Sequence, residues 1–231
     1  MQANAEFRQK ARSVLIRVGG GALLAAFAIH IIANLVLKEF PPPDPTLSEL
    51  RTYLEAEADT WKVVHGLRYL AVAGLALFLG AAIVRVRSND DDLSGGWEYV
   101  GLLGGSLLLA NLFITNGIET FTFLDFQLQS EQPALFWLVF QMTRVLFTAE
   151  IAAWAILLFG FSMAGWLSAT MPRLICALGV FAAVLDLLSG AFVGAMMTTG
   201  GWVEFVFGIA ATSSLLWFVC FGGWMLWRGD T

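Results

Sequence analysis

The feature that most constrains the fold is a series of six long apolar blocks, separated by short polar stretches. The hydrocarbon core of a bilayer is about 30 Å thick, and a helix needs about 20 residues to cross it. Each block is long enough for one crossing. The pattern therefore predicts six transmembrane helices, at about residues 13–37, 62–86, 98–119, 134–165, 172–197 and 202–227.

The composition supports this prediction. Hydrophobic residues make up 58% of the chain and charged residues only 13%, whereas a soluble domain carries about 25% charged residues. The expected fold class is all-α, a polytopic six-helix bundle that forms one domain over residues 1–231. The net charge of −5 gives no reason to expect nucleic-acid binding. Cys176 and Cys220 both lie in apolar blocks and have neither metal-ligand nor disulfide spacing.

The orientation follows from the basic residues in the short loops, because Lys and Arg are enriched on the cytoplasmic side. One side of the predicted bundle carries eight basic residues and the other carries three. The eight are Arg8, Lys10, Arg12, Arg17, Arg85, Arg87, Arg173 and Arg228, and the three are Lys38, Arg51 and Lys62. We therefore expect a multi-pass protein of the inner (plasma) membrane, with both termini in the cytoplasm.

A short amphipathic helix is predicted in the outer loop, over residues 46–58. Prolines at 41–43 and 45 end the first helix, because proline lacks the backbone donor that a helix needs. Thr46 and Glu49 then have the spacing of a capping box. Leu50 and Leu54 follow on one helical face. The segment is either a linker that covers the end of the bundle or a lid over a site.

Glycines predict close helix contacts. Gly101 and Gly105 are four residues apart, as are Gly190 and Gly194, and a run of three glycines spans residues 19–21. Small residues at this spacing let two backbones approach each other.

Polar side chains inside the apolar blocks are the candidate functional residues, because such groups are costly in hydrocarbon. Most of them fall in the outer half of the predicted bundle, whereas the inner half is rich in Gly, Ala, Leu and Val. This distribution predicts an outward-facing polar cavity for a small molecule, a lipid or an ion. The candidates are His30, Asn34, His65, Arg68, Asn111, Asn116, Glu119, Gln141, Arg144, Glu150 and Asp186.

The same charges also permit a purely structural role, in which ion pairs fix the register of the helices. Arg144 and Asp186 have similar predicted depths and form one candidate pair. Arg68 and Glu119 form a shallower one. Glu150 is six positions from Arg144 and so faces about 120° away on the same helix.

The only two histidines, His30 and His65, lie on neighbouring predicted helices. Neutral imidazole is a good haem ligand, so haem b is an alternative cofactor and electron transfer an alternative function. The unequal predicted depths of the two rings favour packing over ligation. The residues indicate no other cofactor.

Three enzyme motifs are absent from the sequence: it has no HExxH, no GxSxG and no Gly-Asp dyad within an apolar block. A non-enzymatic membrane protein is therefore the first interpretation. An accessory subunit that packs in a larger membrane complex is the second, since nine Trp and nineteen Phe suit contacts with lipid or partner helices.

The layout resembles the bacterial six-helix membrane proteins of the DUF4386 family. The resemblance spans the whole chain and depends mainly on residues 46–70, TLSELRTYLEAEADTWKVVHGLRYL, which give a short helix in an acidic outer loop. It implies a six-helix membrane fold and no particular site residues.

The predicted orientation can be tested with a reporter that is active only outside the cytoplasm, fused after Thr231. We expect no reporter activity, because the loop charges place this end inside. The same reporter inserted after Thr52, in the outer loop, is the positive control. Activity at the C-terminus would overturn the orientation.

Overall fold

The computed structural model describes residues 2–33, 46–87, 95–124, 131–191 and 202–228, and every regular element in them is helical. Six of the seven helices are long and apolar enough to cross a membrane, and the exception is the short α2. The predicted six-helix fold is thereby confirmed. The helices are α1 (Gln2–Ile31), α2 (Leu47–Ala56), α3 (Ala58–Val86), α4 (Trp97–Leu124), α5 (Pro133–Leu167), α6 (Arg173–Ala191) and α7 (Trp202–Trp227).

Several helix bounds differ from the prediction. α1 begins at Gln2 rather than near residue 13, because its first eleven residues, QANAEFRQKAR, are mostly strong helix formers. α4 continues to Leu124, five residues past the predicted end. Hydropathy locates the membrane crossing, whereas helix propensity decides where the helix starts and stops. The predicted helical residues 34–37 and 192–197 lie outside the described part of the chain.

The six spanning helices form a closed ring in chain order. α1 packs on α3, α3 on α4, α4 on α5, α5 on α6 and α6 on α7, and α7 returns to α1. Since the number of crossings is even, both termini lie at one end of the ring. We call that end the terminal side and the opposite end, which carries α2, the α2 side.

Glycines on α4 allow close contact with two neighbours, as the sequence predicted. A Cβ at Gly101 would lie 2.8 Å from the backbone nitrogen of Phe161 on α5, and one at Gly104 would overlap the backbone at Leu157. Gly105 meets the Leu79 side chain on α3. On α5, a Cβ at Gly160 would overlap the backbone of Gly101. Backbone thus meets backbone between α4 and α5.

Aromatic rings fill the centre of the ring in its terminal half. Phe78 of α3 is fully buried and contacts Phe161 of α5 at 6.2 Å between centroids. It also contacts Phe218 and Phe221 of α7, at 6.1 and 5.6 Å. All three contacts are edge-to-face, the geometry that the ring quadrupoles favour. The aromatic cluster of Phe78, Phe161, Phe218 and Phe221 therefore joins three helices across the bundle.

α2 forms as predicted, and its N-terminus carries the capping box. The Thr46 hydroxyl accepts a hydrogen bond from the Glu49 backbone N–H, and the Glu49 carboxylate accepts one from the Thr46 backbone N–H. Hydrogen bonds from the Thr46 hydroxyl and backbone hold the pKa of Glu49 below its ordinary value. The buried face of α2, Leu50 and Leu54, packs on Trp61 and Phe136.

The contact between α4 and α5 can be tested with Gly160→Ala. The added methyl group would meet the Gly101 backbone, which cannot rotate away as a side chain can. Overpacking of this kind costs about 1–3 kcal/mol, so we expect a lower temperature of thermal unfolding in mild detergent. The matched control is Gly223→Ala on α7, whose Cβ would meet nothing within 4 Å. Equal unfolding temperatures for the two variants would contradict the close contact.

Candidate functional site

Five of the predicted site residues come together in the half of the bundle nearer the α2 side. They are His65 and Arg68 of α3, Asn116 and Glu119 of α4, and Glu150 of α5. We call these five residues the polar cluster. They lie on three consecutive helices of the ring, so the packing of α3, α4 and α5 determines their geometry.

An ion pair between Arg68 and Glu119 is the strongest interaction in the polar cluster. Nη1 of Arg68 donates to Oε2 of Glu119, and the side chains are only 18% and 14% exposed. The predicted pairing of these two residues is confirmed. At this burial the two charges are weakly screened, and each would be costly without the other.

His65 and Asn116 form a second contact between α3 and α4. The distance from His65 Nδ1 to Asn116 Oδ1 is 3.3 Å, and both side chains are buried. Because an amide oxygen can only accept, Nδ1 carries the proton in this arrangement. The amide nitrogen of Asn116 is buried and has no hydrogen-bond partner among the described residues, and the same is true of the Thr120 hydroxyl one turn further along α4.

Glu150 brings a second carboxyl group to the ion pair. Its carboxyl group lies within electrostatic range of both Arg68 and Glu119. The polar cluster therefore contains one guanidinium and two carboxyl groups. With both carboxyl groups ionised it has an excess of negative charge.

An apolar layer separates the polar cluster from the outer end of α3. Trp61 lies one turn before His65, and the two ring centroids are 5.2 Å apart. The Arg68 guanidinium lies 5.7 Å from the centroid of the same indole. Leu50 and Leu54 of α2 pack on the buried Trp61. α2 therefore reaches the polar cluster through Trp61.

Asp186 belongs to a different place, and the register of the helices does not support its predicted pairing with Arg144. Gly179 and Gly190 of α6 lie against Ser162 and Ile151 of α5, so Asp186 is level with about residue 155. Arg144 is eleven residues from that level, or about 16 Å along the helix at 1.5 Å per residue.

The carboxylate of Asp186 instead accepts a hydrogen bond from the Ser214 hydroxyl of α7, at 2.7 Å. This bond joins α6 to α7 in the bundle interior. The side chain of Arg144 lies outside the described part of the structure.

The two histidines are not at one level. Gly19 of α1 lies against Ala81 of α3, and Gly74 of α3 lies against Ala26 of α1. This register places His30 level with about residue 70, so it is about five residues, or 7–8 Å, deeper than His65. One haem held between both rings does not suit this offset. The unequal depths predicted from the sequence are thus supported.

The remaining predicted residues lie near the polar cluster or outside the described part of the structure. Asn111 donates from its amide nitrogen to the Leu146 carbonyl at 3.1 Å, which ties α4 to α5. Gln141 is half-buried on α5. Asn34 lies outside the described residues.

Trp61 and Thr120 were not predicted. The spacing of Trp61 and His65, four residues apart, was the available signal, since side chains four residues apart share a helix face. Thr120 follows Glu119 directly, and nothing in the sequence distinguishes it from other threonines at a helix end. Within the described residues, no three His, Cys, Asp or Glu side chains are grouped to hold a metal ion.

Comparisons of the chain with protein-family models, with curated proteins and with solved structures gave no significant match. The resemblance to the DUF4386 family stays a prediction. A function is therefore inferred from the side chains of the polar cluster.

A double-mutant cycle tests the central ion pair. Arg68→Gln and Glu119→Gln should each lower the free energy of unfolding in detergent by about 3 kcal/mol, because each leaves one buried charge without its partner. The double variant should lose much less than the sum of the two. The control is Lys62→Gln, which breaks a solvent-exposed pair with Asp59 and should cause no measurable loss. Additive losses at Arg68 and Glu119 would show that the two charges are not coupled.

Proposed function

We propose that this chain is a non-enzymatic multi-pass membrane protein that binds a small polar molecule or an ion at the polar cluster, from the α2 side. The observation that carries the proposal is the buried amide nitrogen of Asn116, which has no hydrogen-bond partner among the described residues and lies beside an ion pair. A buried donor without an acceptor costs about 1–3 kcal/mol. A bound molecule with an acceptor group would recover that free energy.

A structural role alone explains less of the polar cluster. The register of α3 and α4 needs only the pair of Arg68 and Glu119, yet three further polar groups converge on it. Ionisable groups at membrane depth are costly and tend to mark ligand or ion sites. A ligand would account for the additional carboxyl group of Glu150 and for the Thr120 hydroxyl, which has no partner among the described residues.

The charges indicate the chemical class of ligand. Among the described side chains, one guanidinium lies near two carboxyl groups, so a ligand with a positive group would balance the charge when both carboxyl groups are ionised. The Asn116 amide nitrogen would donate to an acceptor on the same molecule. A small molecule with a cationic group and a carbonyl or hydroxyl oxygen, or a hydrated cation, meets both conditions.

α2 has the role of a cover in this proposal. Its two buried leucines contact Trp61, and Trp61 contacts both His65 and Arg68. Movement of α2 would therefore displace the aromatic side chain that lies over the polar cluster. With both termini in the cytoplasm, as the loop charges predict, the ligand would enter from outside the plasma membrane.

Cysteine accessibility tests access to the site. In a chain with Cys176→Ala and Cys220→Ala, Asn116→Cys and Thr120→Cys should react with a membrane-impermeant methanethiosulfonate applied outside intact cells. Ser162→Cys, at a buried position in the terminal half, should not react. Thr52→Cys, on the exposed face of α2, gives the reference rate.

Charge selectivity is the sharper part of the same experiment. Relative to their rates at position 52, a trimethylammonium reagent should react at position 116 faster than a sulfonate reagent, because the carboxyl groups attract a cation. No reaction at either 116 or 120 would contradict a cavity that opens on the α2 side. A preference for the sulfonate reagent would contradict a cationic ligand.

A further inference from the structure

A buried carboxyl group lies on the terminal side, at the opposite end of the bundle from the polar cluster. It belongs to Glu98, in the first turn of α4, whose side chain is only 3% exposed. Oε2 of Glu98 is buried and has no hydrogen-bond partner among the described residues, and no basic side chain in that part of the chain forms an ion pair with it. An acid in the first turn of a helix is favoured by the helix dipole. The dipole does not require the side chain to be buried, however, and burial of an unpartnered carboxylate is costly.

Four oxygen atoms come together where α3 and α5 end. Ser168 Oγ lies 2.7 Å from the Ala164 carbonyl oxygen and 3.2 Å from the Val86 carbonyl oxygen. Thr170 Oγ1 lies 2.7 Å from Ser168 Oγ and 3.4 Å from the same Val86 oxygen. We call these four atoms the oxygen cluster. Each hydroxyl has one proton to donate and the carbonyls have none, so two hydroxyl protons serve four close oxygen contacts.

The backbone between the two hydroxyls brings both of them to α3. Ala169 has a φ of 53°, the left-handed conformation in which helices commonly end. α5 therefore stops at this point, and Ser168 and Thr170 on either side of Ala169 both contact Val86.

The register of α3 and α4 places Glu98 at the level of the oxygen cluster. Gly105 of α4 lies against the Leu79 side chain of α3. Glu98 is seven residues before Gly105, two turns along the same helix face. Because the two helices run in opposite directions, Glu98 is level with Val86, seven residues after Leu79.

The register of α4 and α5 leads to the same place. A Cβ at Gly101 would lie 2.8 Å from the backbone nitrogen of Phe161, so Glu98, one turn before Gly101, is level with Ala164. Side chains of a helix tilt toward its N-terminus, which for α4 is the terminal side. Ser168 follows Ala164 by one turn in that direction. The Glu98 side chain therefore extends from α4 toward the oxygen cluster.

The electrostatic potential at this place favours a cation. α3 and α5 both end here, and the last carbonyl groups of a helix carry its negative partial charge. Arg12 of α1 offsets part of this potential by donating to the Val84 carbonyl at 2.8 Å. The carboxylate of Glu98 adds a full negative charge that no described ion pair balances.

From this geometry we propose that Glu98 and the oxygen cluster bind a monovalent metal cation. The carboxylate supplies the charge, and the hydroxyl and carbonyl groups supply neutral oxygen ligands. Sodium sites in membrane transporters likewise use backbone carbonyls and the C-terminal ends of helices. Glu98 is the one carboxyl group that the described residues place here, so a monovalent cation leaves the buried site neutral. The bound cation would hold the ends of α3, α4 and α5 together.

Thermal unfolding of the full chain in mild detergent tests this proposal, with NaCl or KCl replacing N-methylglucamine chloride at constant ionic strength. One or both metal cations should raise the Tm of the wild type saturably, by about 3–5 °C at about ten times Kd, because the cation binds only the folded state. Glu98→Gln keeps the size of the side chain and removes its charge, so it should lose the shift. In the metal-free medium this variant should unfold no earlier than the wild type, since it buries no lone charge.

Glu150→Gln is the matched control, because it removes a carboxyl group from the polar cluster in the other half of the bundle. It should keep the full shift. Thr170→Val removes one hydroxyl ligand from a half-buried position and should weaken cation binding about fivefold.

Three results would overturn the proposal. The first is a wild type whose Tm responds to neither metal cation. The second is a shift that persists in Glu98→Gln or disappears in Glu150→Gln, which would place the cation elsewhere. The third is an unchanged affinity in Thr170→Val, which would separate the oxygen cluster from the cation.

Discussion

Inside hydrocarbon, a polar group must find its partner within the protein, and the rest of this structure depends on that constraint. Helices satisfy it for the backbone. Buried polar side chains satisfy the same constraint through contacts with one another. Among these contacts, the ion pair between Arg68 and Glu119 carries the most charge. Because the two residues belong to α3 and α4, burial of the pair requires the two helices to meet in one register. Glu150 then extends the requirement to α5.

Different interactions stabilise the two halves of the bundle. In the terminal half, glycines bring α4 and α5 into backbone contact, and the aromatic cluster around Phe78 fills the space between α3, α5 and α7. These contacts depend on shape and dispersion, which act in lipid as well as in water. In the half nearer α2, polar contacts replace them. The division leaves the buried side chains of the polar cluster at one end while close packing holds the other end together.

The sequence predicted the number of helices and the pair Arg68–Glu119, because both depend on local distances along single helices. The predicted ends of α3 and α4 on the α2 side lie within five residues of the observed ends, so the predicted depths of Arg68 and Glu119 stayed similar. The depths predicted for Arg144 and Asp186 were counted from the ends of α5 and α6. α5 starts at Pro133 and has 35 residues, more than a bilayer requires. The contact of Trp61 with Arg68 depends on how side chains on successive turns of α3 are oriented, and a hydropathy pattern does not predict this orientation.

The aromatic cluster also bears on the kind of function that the proposed site can serve. Phe78 of α3 contacts rings of α5 and α7 at the centre of the ring of helices, and all four aromatic rings are buried. A polar solute that entered from the α2 side would meet these rings beyond the polar cluster, and passage would require it to lose its hydration. Since α4 and α5 touch through their backbones at the same end, they cannot part by side-chain rotation alone. In this conformation the terminal half is closed, so a site at the polar cluster would suit binding or sensing, and transport would require rearrangement of whole helices.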